Sequence, residues 1–154
     1  KEALNWAAEA GLVCTDEWYL DPSPFSSREA WCAERLRQTE ERLDTLPAEV
    51  PKVLVNHFPL RMDLVRLFKI PRFTLWCGTR KTEDWHRRWG TRVCVHGHLH
   101  MRATDWRNGV RFEEVAVGYP RHWVQAKGLD HYLREILPGP PQPTEDPVDP
   151  TWHR

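Results

Sequence analysis

The sequence has no net charge: 22 Lys and Arg balance 22 Asp and Glu over 154 residues. A polybasic nucleic-acid arm or a membrane-surface domain needs a large positive excess, so neither describes the whole chain. A local basic patch is still allowed, but nucleic acid is not indicated. No apolar run approaches the roughly 20 residues that span a bilayer. The longest, around Val53–Val55, is strand-sized, so no membrane partner is expected. Cysteine is sparse. Cys14, Cys32, Cys77 and Cys94 form no Cys-x-x-Cys pair, and no two lie closer than 17 residues. That excludes zinc-finger spacing and predicts buried free thiols in a reducing cytosol. No secretory leader pattern is visible, and the expected location is cytoplasmic. No internal repeat is evident.

What is abundant is nine Trp, eight His and 13 Pro. Eight His in a neutral chain direct the search to metal ligands. Residue 1 is Lys, and Leu4-Asn5-Trp6-Ala7-Ala8 already reads as helix, so the chain is expected to continue something longer.

Along the chain, a first helix ends at Gly11, a suitable C-cap. Leu12–Cys14 and Trp18–Leu20 read as short strands. Ser26-Ser27-Arg28-Glu29 is a capping-box pattern with Ser26 as the cap. The helix behind it carries Cys32, Leu36, Thr39, Leu43 and Leu46 on one stripe and stops at Pro47. Lys52–Asn56 and Arg92–Val95 read as buried strands, and Phe73–Trp76 as another. A short helix opens at Thr82-Glu83-Asp84 and carries Trp85 and Trp89, four apart on one face, which favours packing over ligand stacking. Two alternating runs within Ala103–Val117 are joined by Asn108-Gly109, a strong hairpin signal. Beyond Leu137 six prolines interspersed with acidic residues predict a disordered or extended tail, so residues 1–137 form the domain and 138–154 the tail. Alternating strands and helices imply an α/β layer structure with a largely parallel sheet. Its functional groups are expected at strand carboxyl ends.

Three histidines sit there. His57 follows the strand Val53–Val55, and His98 and His100 follow Val93–Val95. In an extended segment His98 and His100 point to one side, about 7 Å apart at Cα. Neutral imidazole suits Zn, Mn, Fe, Co or Ni alike. His86, His122, His131 and His153 have no partner pattern and are expected at the surface. The basic stretch Arg80, Lys81, Arg87, Arg88 and Arg92 reads as a solvated face, with a phosphate-orienting rim as the alternative.

Val53-Leu54-Val55-Asn56-His57-Phe58-Pro59-Leu60 followed by Gly97-His98-Leu99-His100 resembles the last two motifs of the calcineurin-like metallophosphoesterases. The likeness continues through Gly109–Val115 and Gly118-Tyr119-Pro120, covering Ala3 to Leu137. It implies the C-terminal half of an α-β-β-α sandwich and a phosphoesterase hydrolysing phosphate mono- or diesters with two divalent metal ions. By that resemblance His57 and His98 hold one metal and His100 the other. The family's Asp-x-His, Gly-Asp-x-x-Asp and Gly-Asn-His motifs are absent, so the N-terminal half of the domain is an expected partner. No residue of this portion takes a catalytic acid or base role, and the chain alone is expected to be inactive. Three imidazoles cannot neutralise two dications roughly 3.5–4 Å apart. Two other readings stay open: a mononuclear site of His96, His98 and His100, and a non-catalytic binding remnant of the fold.

Overall fold

The structure, a computed structural model, describes residues 2–153. Helix α1 (Glu2–Ala8), the helical turn α2 (Asp16–Tyr19) and the long helix α3 (Arg28–Asp44) precede strand β1 (Lys52–Val55). Helix α4 (Trp85–Arg88) then leads into β2 (Thr91–His96), the hairpin β3 (Ala103–Arg107) and β4 (Val110–Glu114), and finally β5 (Thr151–Trp152). The result is an α/β fold around one five-stranded sheet, in the order β1-β2-β4-β3-β5.

The sheet is mixed rather than largely parallel. β2 pairs in parallel with β1 and with β4, while β3 runs antiparallel to β4 and β5. The hairpin accounts for this. The Asn108-Gly109 turn, both residues at positive φ, reverses the chain in two residues. Once β4 docks beside β2, β3 must oppose both. Every residue of β4 is buried, as are four of the last five in β2 and its first residue.

One sheet face makes the core. Phe112, Cys94 and Val110 pack with Leu60, Leu64, Trp85 and Trp89, and Leu36 and Leu43 of α3 lie against them. The tryptophans do more than fill space. Trp85 Nε1–H donates to Glu40 at 3.0 Å and Trp89 Nε1–H to Asp44 at 2.7 Å, so α4 is bonded to α3. The expected packing role of Trp85 and Trp89 therefore holds, and Leu36 and Leu43 of the α3 stripe reach the core. Cys32, nearer the start of that helix, is exposed; the other three cysteines are buried and all four are free. Burial pushes the Cys94 thiol up to about 12.

The opposite face is covered unevenly. Over β3 and β4 lies a polar network in which Arg134 donates to buried Glu113 at 3.0 Å and to Thr104 at 3.0 Å. At β1, Val53 and Val55 on that face are exposed, Val55 at 75%.

Several local expectations need correction. Leu12–Cys14 is irregular, and Trp18–Tyr19 belongs to α2. Phe73–Trp76 is not a strand but part of a 3-10 helix, Pro71–Trp76. Pro71 presets its first turn, and the Thr74 hydroxyl donates back to the Pro71 carbonyl at 2.8 Å. The cap of α3 is Ser27, one residue later than expected; its hydroxyl accepts from the Ala30 amide at 3.1 Å. His86 is buried rather than on the surface, its Nε2 3.0 Å from Asn108 Oδ1. The proline-rich tail lacks regular structure over most of its length, yet Thr151 and Trp152 pair with Thr104 and Ala103 of β3. Among the described residues no helix is long and apolar enough to cross a membrane.

Candidate metal centre

β1 and β2 end side by side, and each hands the chain to a histidine. Asn56 N–H still donates to Val95 at 2.9 Å, and Gly97 N–H to the His57 carbonyl at 3.0 Å, so the parallel pairing extends past both strands. This ladder fixes the backbones of His57 and Gly97 against each other. The side chains then meet: His57 Nε2 lies 3.1 Å from His98 Nδ1. Phe58 packs edge-on against both rings, with centroids 4.8 Å away in each case, and Phe73 stacks on His98 at 6.4 Å. The 3-10 segment that replaced an expected strand is thus a wall of the site.

The loop after β2 is not extended. His98, His100 and Arg102 have φ of 71°, 56° and 48°, the left-handed region that side-chain-bearing residues seldom occupy. Such conformations persist only where surrounding contacts hold them, and they gather at functional sites. Here the holder is Glu114 at the end of β4. Its buried carboxylate accepts the backbone N–H groups of His100 at 3.2 Å, of Met101 at 2.9 Å and of Arg102. The curl separates His100 from His98 and aims it at another group, so the expectation that both point one way from an extended strand is corrected. His100 instead packs edge-on against Tyr119 at 4.8 Å, with His122 at 6.2 Å.

A ring-nitrogen pair at 3.1 Å has two uses: one imidazole donates to the other, or both lone pairs face one cation. Two imidazole nitrogens each about 2.0–2.1 Å from one cation, at bond angles between square and tetrahedral, stand roughly 2.9–3.4 Å apart. The His57–His98 pair fits that spacing. On the far side of its ring His98 Nε2 is buried with no hydrogen-bond partner among the described residues. That is the nitrogen that carries the proton when Nδ1 offers its lone pair. Burial first, then the nearby His57 and His100, hold His98 below the ordinary imidazole value. Burial and the neighbouring His122 do the same for His100. Both rings therefore favour the neutral, ligating form.

The site is open on the protein side. Among the described residues no three His, Cys, Asp or Glu side chains converge on one point. His57 and His98 offer two nitrogens to one cation, and His100 stands apart. The trio His96, His98 and His100 does not gather. His96 is buried in β2, and burial depresses it to about 4. The sequence assigns no site role to Glu114, Tyr119 or His122, which act here as single residues without a spacing signature; His122 reads only as a surface histidine. Glu114, Tyr119 and their neighbours carry only the family likeness of Gly109–Val115 and Gly118-Tyr119-Pro120.

No family model matches the chain. The chain is 49% identical over 139 residues to the acyl-carrier-protein phosphodiesterase PptH of Mycobacterium tuberculosis, a match covering 90% of this chain and 43% of that protein. A crystal structure of phosphopantetheinyl hydrolase PptH from the same organism superimposes with a TM-score of 0.83 at 49% identity, over 90% of this chain and 49% of that one. The chain thus spans less than half the length of the relatives it matches.

Proposed function

We propose that this chain supplies the histidine side of a divalent-metal phosphodiesterase site, with His57 and His98 on one cation and His100 on a second. The substrate class is a phosphopantetheinyl-bearing acyl carrier protein, cleaved at its phosphodiester. The observation that supports this reading most is the 3.1 Å nitrogen pair where two parallel strands end, in a chain half identical to a phosphodiesterase. When bound, two such cations activate a water and offset charge on the phosphoryl oxygens. The work of this chain's own residues is positioning. Phe58 and Phe73 set the ring planes of the pair, Glu114 holds the curl that presents His98 and His100, and partial burial lowers the proton affinity of those two imidazoles. The anionic ligands and the α-β-β-α arrangement would come from a preceding segment carrying Asp-x-His, Gly-Asp-x-x-Asp and Gly-Asn-His.

Titration calorimetry with Mn²⁺ tests the ligand assignment. The chain binds the metal, and His57→Ala or His98→Ala weakens binding by at least about tenfold, the usual scale for loss at a metal site. Undiminished affinity in the double variant overturns the assignment. A second assay follows release of phosphopantetheine from the carrier protein. Turnover is expected only when the coding sequence upstream of Lys1 supplies the missing motifs, and enzyme-like rates from this chain alone contradict the need for them.

A further inference from the structure

The segment after β4 is built against His100 with more care than a connecting loop requires. Gly118 has φ +82°, and a Cβ there would stand 2.9 Å from His122 Nδ1 and 3.7 Å from the His100 side chain. Only a glycine backbone fits between the two imidazoles. Tyr119 packs edge-on against His100 at 4.8 Å and against His122 at 5.5 Å. Arg121 lies over the Tyr119 ring, its Cζ 4.5 Å from the centroid. The segment is tied to itself as well: the His122 amide donates to the Tyr119 carbonyl at 2.8 Å, and the Tyr119 amide donates to His122 Nδ1 at 3.3 Å.

That last bond selects a tautomer. With Nδ1 accepting, the neutral ring carries its proton on Nε2, which remains a free donor. Arg121, seated on an aromatic face, is a fork of donors held in place at small entropic cost. The side chains facing His100 are those of Tyr119 and His122, and the nearby Glu114 carboxylate is taken up by the backbone amides of His100, Met101 and Arg102. Two donors of positive or neutral character, with the Glu114 carboxylate already occupied by backbone amides, make a surface suited to an oxyanion.

We infer that residues 118–122 form an anion-recognition arm, in which Arg121 and the Nε2–H of His122 hold phosphoryl oxygens beside His100. This rests on the phosphodiesterase reading for its substrate, but the donors themselves do not need a metal. Tyr119 is the positioning residue: it seats Arg121 and braces His100 in one contact set.

The probe is inorganic phosphate, followed by NMR through the His122 ring protons and the Arg121 side-chain N–H at low ionic strength. Phosphate shifts both sets of signals in the parent chain. Arg121→Gln and His122→Gln each weaken phosphate by about tenfold, as expected for loss of one charge-assisted bond, and Arg121→Lys falls between, because it keeps charge without the fork. Mn²⁺ affinity, measured separately, is unchanged in both variants. Absence of phosphate-dependent shifts in the parent, or affinity equal to the parent's in either glutamine variant, overturns the arm. Loss of Mn²⁺ from His122→Gln also overturns it, because His122 would then be a ligand. A parent that binds phosphate through Arg121 but takes up no Mn²⁺ leaves the arm standing and removes the metal reading instead.

Discussion

Glu114 shows how a single buried charge shapes the centre. The carboxylate is 3% exposed, and burial raises it above its ordinary range against the pull of the amides it accepts. The loop alternates: His98, His100 and Arg102 are left-handed, and Leu99 and Met101 between them are not. Successive amides of such a chain turn inward to form a nest for an anion, and Glu114 is an anion supplied from within the protein. Glu114→Ala should therefore destabilise the fold by about 1–3 kcal/mol, the cost of leaving buried donors without acceptors. The cavity should also accept a small carboxylate. Formate or acetate is expected to recover part of the loss in a thermal melt, while chloride at equal ionic strength does not. Equal melting of Glu114→Ala and the parent would contradict this account.

Among the elements, the attachment of α3 is the most directly testable. The helix has no fully buried residue and reaches the core only through Leu36 and Leu43, so its docking leans on the indole bonds from α4. Arg88 adds an ion pair to Glu40 at 2.9 Å, but it is partly exposed and contributes little. A double-mutant cycle of Trp89→Phe with Asp44→Ala should return a coupling of about 1–2 kcal/mol by urea denaturation, since the acceptor is charged. A coupling near zero would mean that the Trp89–Asp44 bond does not hold α3. At this scale much of the fold was legible. β1, β2 and the hairpin are written in β-branched runs and an Asn-Gly turn, which are local signals. Phe73–Trp76 was not, because Phe, Leu and Trp suit a strand by composition, and only Pro71 and the Thr74 back-bond favour the tighter helix. The same contrast holds in the centre. His57, His98 and His100 stand at strand ends and within a motif. Glu114 and His122 owe their roles to a curl and a glycine gap that exist only once the chain has folded, and His86 is buried because Phe112 packs edge-on against it at 5.2 Å.

Across the whole molecule, buried imidazoles set the response to acid. Burial depresses His96 to about 4 and also lowers His86. Their folded forms bind protons less readily than the unfolded chain, so this stability is complete above about 6.5 and is lost as pH falls toward 4. For His96 alone the loss between pH 7.5 and pH 5 is roughly 2 kcal/mol. Glu114, shifted upward, works in the opposite sense over part of that range. Urea denaturation at the two pH values measures the sum, and the difference should shrink in His96→Leu. A difference between the two pH values that is unchanged in His96→Leu would show that this ring is not held neutral by the fold.

The uneven cover of the sheet has one more consequence. β2 and β4 are enclosed on both faces, whereas β1 is an edge strand with Val55 bare, and β5 is only two residues long. Amide exchange should follow that gradient, slowest in β2 and β4 and fastest at the margins. Yet β1 is the strand that carries His57. A cation joining His57 to His98 would fasten the loosest strand to the firmest one, so its affinity includes the work of keeping β1 closed. Mn²⁺ should then slow exchange at Val55 and Asn56 while leaving the β3–β4 amides unchanged, and uniform slowing or none would separate ligand binding from the breathing of that edge.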